Sequence, residues 1–100
     1  MKYRISDEAR RDLGSIGQYI AQDNPARAMS FVDEITAKFR HVAERPLSFP
    51  PREDWHPDLR SALHRPYVIV FRVADDHVDI VRVFHGARAI FRTFFESPPE

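Results

Sequence analysis

The chain has no cysteine, no net charge and no long apolar run, and each absence removes a class of function. Without cysteine there is no disulfide framework, no thiolate nucleophile and no thiolate zinc site, so stability has to come from packing. Fifteen lysines and arginines are balanced by fifteen aspartates and glutamates, which excludes a broad cationic surface of the kind that grips nucleic acid. No stretch is apolar for long enough to cross a bilayer. The start, Met1 to Ser6, is too poor in apolar residues for a signal peptide, and the expected location is the cytoplasm. Five histidines are present, yet no two have the spacing of a helical zinc site. Asp75 and Asp76 read as solvated loop acids, without the further oxygen ligands that a hard cation requires. No metal or cofactor is expected.

What remains is the composition of a globular protein. At 100 residues, 43% of them hydrophobic, the chain suffices for a single domain that buries about two-thirds of its unfolded surface. Acids gather in the first half, at Asp7, Glu8, Asp12, Asp23, Asp33 and Glu34. From Arg82 to Arg92 there are three arginines and no acid, so a locally basic C-terminal end is predicted. No internal repeat or low-complexity segment interrupts the pattern.

Lys2 to Ile5 reads as a short strand, and Ser6-Asp7-Glu8-Ala9 supplies an N-cap with acids in the first turn of a helix. Ala9, Leu13, Ile16 and Ile20 recur by fours and threes, which places them on one stripe of a helix running to about Gln22. Asn24 then caps a second helix with Pro25 at its first position, where the missing N–H costs nothing. The predicted stripe of this helix is Ala28, Val32, Ile35, Phe39 and Val42, ending near Glu44. So short a joint predicts an antiparallel helical hairpin. From Arg45 to Pro57 the prolines at 46, 50, 51 and 57 exclude both helix and central strand, leaving a long loop that carries Phe49 and Trp55. Asp58 to Arg65 reads as a strand, because it runs into Pro66 and a residue before proline favours extended geometry.

Pro66 to Arg88 is the stretch that bears most on function. Two β-branched, apolar runs joined by Ala74-Asp75-Asp76-His77 form a hairpin, and the second run ends in His85-Gly86-Ala87-Arg88. Gly86 is expected to turn the chain with a positive φ. His85 and Arg88 either bind or cleave, or simply end a strand and pair with solvent and neighbouring carboxylates. Trp55 is either a plug beneath its loop or an anchor for a partner. Phe91, Phe94 and Phe95, in a last segment predicted to be a short helix or edge strand, either pack on the sheet or form an apolar end for a partner.

Taken in order, these residues resemble the RelE/ParE toxin superfamily and its ParE branch. The resemblance is carried by the hairpin with Ile16, Tyr19-Ile20 and Asn24-Pro25, by Arg45-Pro46, by Leu59-Arg60, by the strand Tyr67 to Val73, and by the ending Ile80 to Arg88. It implies one ParE-like domain of α+β class: an N-terminal strand and an antiparallel helical hairpin packed on a mainly antiparallel sheet of three or four strands. It further implies a toxin of a type II toxin–antitoxin system that inhibits DNA gyrase by protein–protein binding, without enzymatic chemistry, and that a cognate ParD-like antitoxin neutralises. The partner-binding residues would be Trp55, Arg60, His85, Arg88, Phe91, Phe94 and Phe95. The RelE branch implies the alternative, a ribosome-dependent mRNA endoribonuclease, with Arg60, Arg82, His85 and Arg88 supplying charge and proton transfer. Here the chain departs from that branch, because phenylalanines stand where a C-terminal tyrosine is usual.

Overall fold

The computed structural model describes residues 1–86. Its first organising contact is Ser6, which closes a short strand, β1 (Lys2–Ile5), and caps the helix α1 (Asp7–Asp23). The Ser6 Oγ accepts from the Ala9 N–H at 3.0 Å, satisfying a backbone donor that the first helical turn leaves unpaired. Asp7 and Glu8 lie beside the positive end of the helix dipole. Asn24 is the whole joint between the helices. Its N–H donates to the Ile20 carbonyl at 2.9 Å, ending α1, while its Oδ1 accepts from the Arg27 N–H at 3.0 Å, starting α2 (Pro25–Glu44). With Pro25 at the first helical position, the hairpin expected from the sequence follows.

After α2 the proline-rich segment forms one 3-10 turn, Pro46–Ser48, and then irregular chain to the strands β2 (Arg60–His64), β3 (Tyr67–Val73) and β4 (His77–His85). The sheet order is β1-β4-β3-β2, with β1 parallel to β4 and the other pairs antiparallel. The last predicted segment, 87–95, lies outside the described residues.

Both faces of the sheet are covered. On one, Phe31, Ile35, Phe39 and Val42 of α2 pack on Ile69, Phe71, Val78, Ile80 and Val83. On the other, Val68, Val70 and Phe84 lie under Leu59 and Trp55 of the preceding loop. This is why Tyr67 to Phe71 is an unbroken buried run rather than an alternating one. Each fully buried phenylalanine contributes about 1.5–3 kcal/mol through its removal from water. One residue of the predicted α2 stripe is displaced: Val32 is 47% exposed, and Phe31, buried to 1%, takes the inward position. The sequence pattern admits both, since Phe31 and Val32 stand four and three residues before Ile35.

β4 does not keep one phase. Val70 faces Arg82 while Phe71 faces Ile80, so Val81 is an extra residue in a β-bulge. Before it Val78 and Ile80 face the helices; after it Val83 does, and Phe84 turns to the opposite face. The bulge lies where β1 stops pairing with β4, at Ile5 opposite Ile80. From there α1 takes over the edge. Ser6 donates from its N–H to the Ile80 carbonyl at 3.0 Å and from its Oγ to the Val81 carbonyl at 2.8 Å. Asp12 then accepts from the Val83 N–H at 2.9 Å and from Arg82 through Nε at 2.7 Å and Nη2 at 2.8 Å.

Gly14 and Gly17 sit inside α1, and a Cβ built on either meets no atom within 4 Å. Packing within the described residues therefore does not require glycine at these sites, whereas helix propensity disfavours it. Gly14→Ala and Gly17→Ala are each expected to raise stability by about 0.5–1 kcal/mol, read as a higher urea midpoint with an unchanged slope. A loss of stability in either variant would show that another part of the molecule approaches that face.

Candidate functional site

The residues singled out from the sequence separate onto distinct parts of the sheet. Arg60, at the start of β2, donates from Nη1 to the Phe49 carbonyl at 2.6 Å and so fastens the loop to the sheet. Arg82 is held by Asp12, with both side chains only 13% and 14% exposed. The locally basic end predicted from the sequence is in this respect neutralised by an acid 70 residues away. His85 lies elsewhere, its ring edge-on to Tyr67 at 5.7 Å. Arg60 is opposite Phe71 and His85 is opposite Tyr67, and four residues of strand put about 13 Å between those positions. Arg60 and His85 therefore do not converge on one reacting atom. Arg88, Phe91, Phe94 and Phe95 lie outside the described residues.

His85 instead belongs to a row that the sequence reading missed. His64 pairs with Tyr67 across β2 and β3, and Tyr67 with His85 across β3 and β4, giving the order His64, Tyr67, His85. Phe31 of α2 backs the row, 6.1 Å from the His64 ring and 5.1 Å from the Tyr67 ring. The His64 Nε2 stands 3.4 Å from Glu34 Oε1, and Arg27 grips Glu34 with contacts of 2.7 and 3.3 Å. The hydrogen bond from Arg27 holds the Glu34 carboxyl below its ordinary range, and His64 adds to this. The two-residue turn at Arg65-Pro66 would have predicted the His64–Tyr67 pair. The bulge at Val81 hid the place of His85.

Gly86 corrects an expectation. None of the described glycines has a positive φ; what Gly86 supplies is closeness. Its N–H donates to the Pro66 carbonyl at 2.8 Å, and a Cβ there would stand 3.2 Å from Val68 Cγ2 and 3.3 Å from the Pro66 oxygen.

Trp55 packs over Phe84 with ring centroids 5.9 Å apart, and the Arg52 guanidinium lies 3.8 Å from the indole centroid. Arg52 is oriented by Asp54, at 2.7 Å from Nη2, and that hydrogen bond lowers the Asp54 pKa. Trp55 thus plugs the second core. It also borders a cavity of about 470 Å³ between its loop, the helix-free face of β3 and β4, and the first turn of α1.

One further cluster stands on the β3–β4 hairpin. His77 presents Nδ1 to Asp76 at 2.8 Å and Nε2 to Asp79 at 2.8 Å, and Asp79 also meets Arg72 at 3.3 Å. A neutral imidazole has one donor and one acceptor, so two carboxylate contacts require the doubly protonated ring. The Asp76 hydrogen bond raises the His77 pKa above its ordinary 6.5, Asp79 adds to the rise, and partial burial and Arg4 oppose it. The same bond to His77 lowers the Asp76 pKa from 3.8. Asp76 is the solvated loop acid expected from the sequence, 86% exposed, and its partner is its own neighbour. Among the described residues, no three His, Cys, Asp or Glu side chains gather as metal ligands would. Nor is any described helix long and apolar enough to cross a membrane.

Comparison with known proteins assigns this architecture. The family model described as the ParE toxin of the type II toxin–antitoxin system, parDE, matches residues 3–90. The chain belongs to that family. Among solved structures, it is similar to the chromosomal ParDE toxin–antitoxin system from P. aeruginosa, with 24% identity, 85% of this chain and 95% of that chain covered, and a TM-score of 0.72. It is also similar to the toxin–antitoxin complex RelBE2 from Mycobacterium tuberculosis, with 24% identity, 84% and 95% covered, and a TM-score of 0.58. At that identity the two structures speak for the fold, which is the one the sequence led us to expect. No match was found among the curated proteins.

The His77 cluster has a defined pH dependence. Because the folded pKa is raised, its stabilisation is complete below about pH 6.5 and is lost as pH rises through the folded value. Asp76, with a lowered pKa, contributes above its ordinary value and loses that contribution as pH falls through the lowered one. His77→Gln is therefore expected to destabilise the protein at about pH 5.5 and to do so less at about pH 9, measured by urea denaturation. An equal penalty at both values would show that His77 acts by packing alone.

Proposed function

We propose that this chain inhibits DNA gyrase by protein–protein binding, in the cytoplasm, and is held inactive by a cognate ParD-like antitoxin. The family match over residues 3–90 carries the reading, and the likeness to a ParDE system supports an antitoxin as partner. Two of the arginines a nuclease would need to stabilise a phosphorane are engaged by the protein itself, Arg60 by the Phe49 carbonyl and Arg82 by Asp12. That supports binding over cleavage. Trp55 and His85, with Arg88, Phe91, Phe94 and Phe95, are the proposed contact residues, and Arg60 serves through the loop it fastens.

The alternative, an mRNA endoribonuclease acting on the ribosome, is favoured by one observation, the row of His64, Tyr67 and His85. It holds groups capable of proton transfer, Tyr67 in particular, which answers the absence of a C-terminal tyrosine. A single pair of assays separates the readings. Purified chain is expected to block gyrase supercoiling or trap cleaved DNA, and induced expression is expected to leave messenger RNA without codon-positioned cuts. No effect on gyrase at stoichiometric excess, together with cuts that vanish in His85→Ala, would establish the nuclease instead.

A further inference from the structure

The cavity beneath the 52–59 loop is distinct from the His64, Tyr67 and His85 row, which lies on the opposite, helix-covered face. Its apolar wall is Trp55, Leu59 and Val81, and its volume of about 470 Å³ falls within the range of small-ligand and side-chain sites. Three carboxylates line it, from Glu8, Asp58 and Asp79, together with the Arg72 guanidinium and the His56 ring. Asp79 is already met by Arg72 at 3.3 Å and by the His77 ring at 2.8 Å. Glu8 and Asp58 are not so met among the described residues. His56 stands 4.0 Å from the Asp58 carboxylate, and its Nδ1 accepts the Asp58 N–H at 3.1 Å.

The walls therefore present an apolar surface with two carboxylates that no described side chain pairs closely, Glu8 from the first turn of α1 and Asp58 from the loop. A phosphate would be repelled by them, and a wholly apolar side chain would leave them unpaired. An arginine answers both demands. Its methylene stem lies along apolar surface while its head stays charged, and its planar set of five donors can reach two carboxylates at once. We propose that this cavity receives an arginine side chain, flanked by apolar residues, from the antitoxin. The assignment of the occupant rests on the reading of the chain as a toxin that an antitoxin neutralises.

The probe is the peptide acetyl-Leu-Arg-Leu-amide, titrated into the full chain while the Trp55 indole resonance is followed, with the citrulline peptide as its uncharged counterpart. Saturable shifts with the arginine peptide are expected, with affinity about tenfold weaker for citrulline and for the Glu8→Gln/Asp58→Asn variant. Both substituted residues are exposed, and a cooperative thermal transition checks that the variant folds. Absence of a shift, or equal affinity for both peptides, would overturn the proposal. Growth arrest on expressing the chain alone tests the toxin reading separately. Arrest without peptide binding discards the cavity and leaves the toxin; peptide binding without arrest removes the antitoxin as occupant and the proposal with it.

Discussion

The carboxylate of Asp12 is the contact on which the arrangement of this molecule depends. Its oxygens receive three donors, two from the Arg82 guanidinium and one from the Val83 backbone. In a sheet whose first strand stops short, the edge of β4 beyond Ile80 would otherwise be bare, and a bare edge is a hazard. Ser6 covers the first positions and Asp12 the next, one helical turn and a half further along α1. The bulge at Val81 is the strand's side of that agreement. It rephases β4, so that Val83 and His85 face the helices and Phe84 reaches the second core. Removing one member of such a largely buried pair costs about 3–5 kcal/mol, because the other charge is left unanswered.

This geometry sets what each face of the sheet is able to do. The helix-covered face holds the larger core and, at the end of β4, the row of His64, Tyr67 and His85. The helix-free face holds a smaller core closed by Trp55, and beside it the cavity with Glu8 and Asp58. Two of the arginines that first suggested a phosphate site are framework: Arg60 fastens the loop and Arg82 fastens α1. Chemistry that needs several cations around one phosphate would have to be built from other residues. A surface for a protein partner does not meet that difficulty, since aromatic and charged groups spread over a face are what such contacts use.

Much of the fold was legible in the chain, for local reasons. Ser6, Asn24 and Pro25 act within a few residues of themselves, and the helix boundaries they set are those the sequence implied. The strands were legible because β-branched residues crowd into Tyr67 to Val73 and His77 to His85. What escaped depended on pairing at a distance. That Phe31 rather than Val32 turns inward is decided by the sheet beneath α2. The partnership of Asp12 with Arg82 spans most of the chain, and neither residue type announces it. The row through His85 needed the register of three strands, which a one-residue bulge shifts without leaving a mark in composition. Gly86 was placed at a turn for its freedom in φ, whereas its use is to let two backbones approach.

Arg82 is held as a framework residue by Asp12, and the proposed inhibition proceeds by binding. The direct measurement is growth arrest by the double variant Asp12→Asn/Arg82→Gln, which keeps an acceptor for the Val83 N–H and replaces the ion pair by neutral amides. Expressed as folded protein, at a stability lowered by about 1–2 kcal/mol, it is predicted to arrest growth as the unaltered chain does. A folded double variant that no longer arrests growth would contradict the account and return Arg82 to the reacting site.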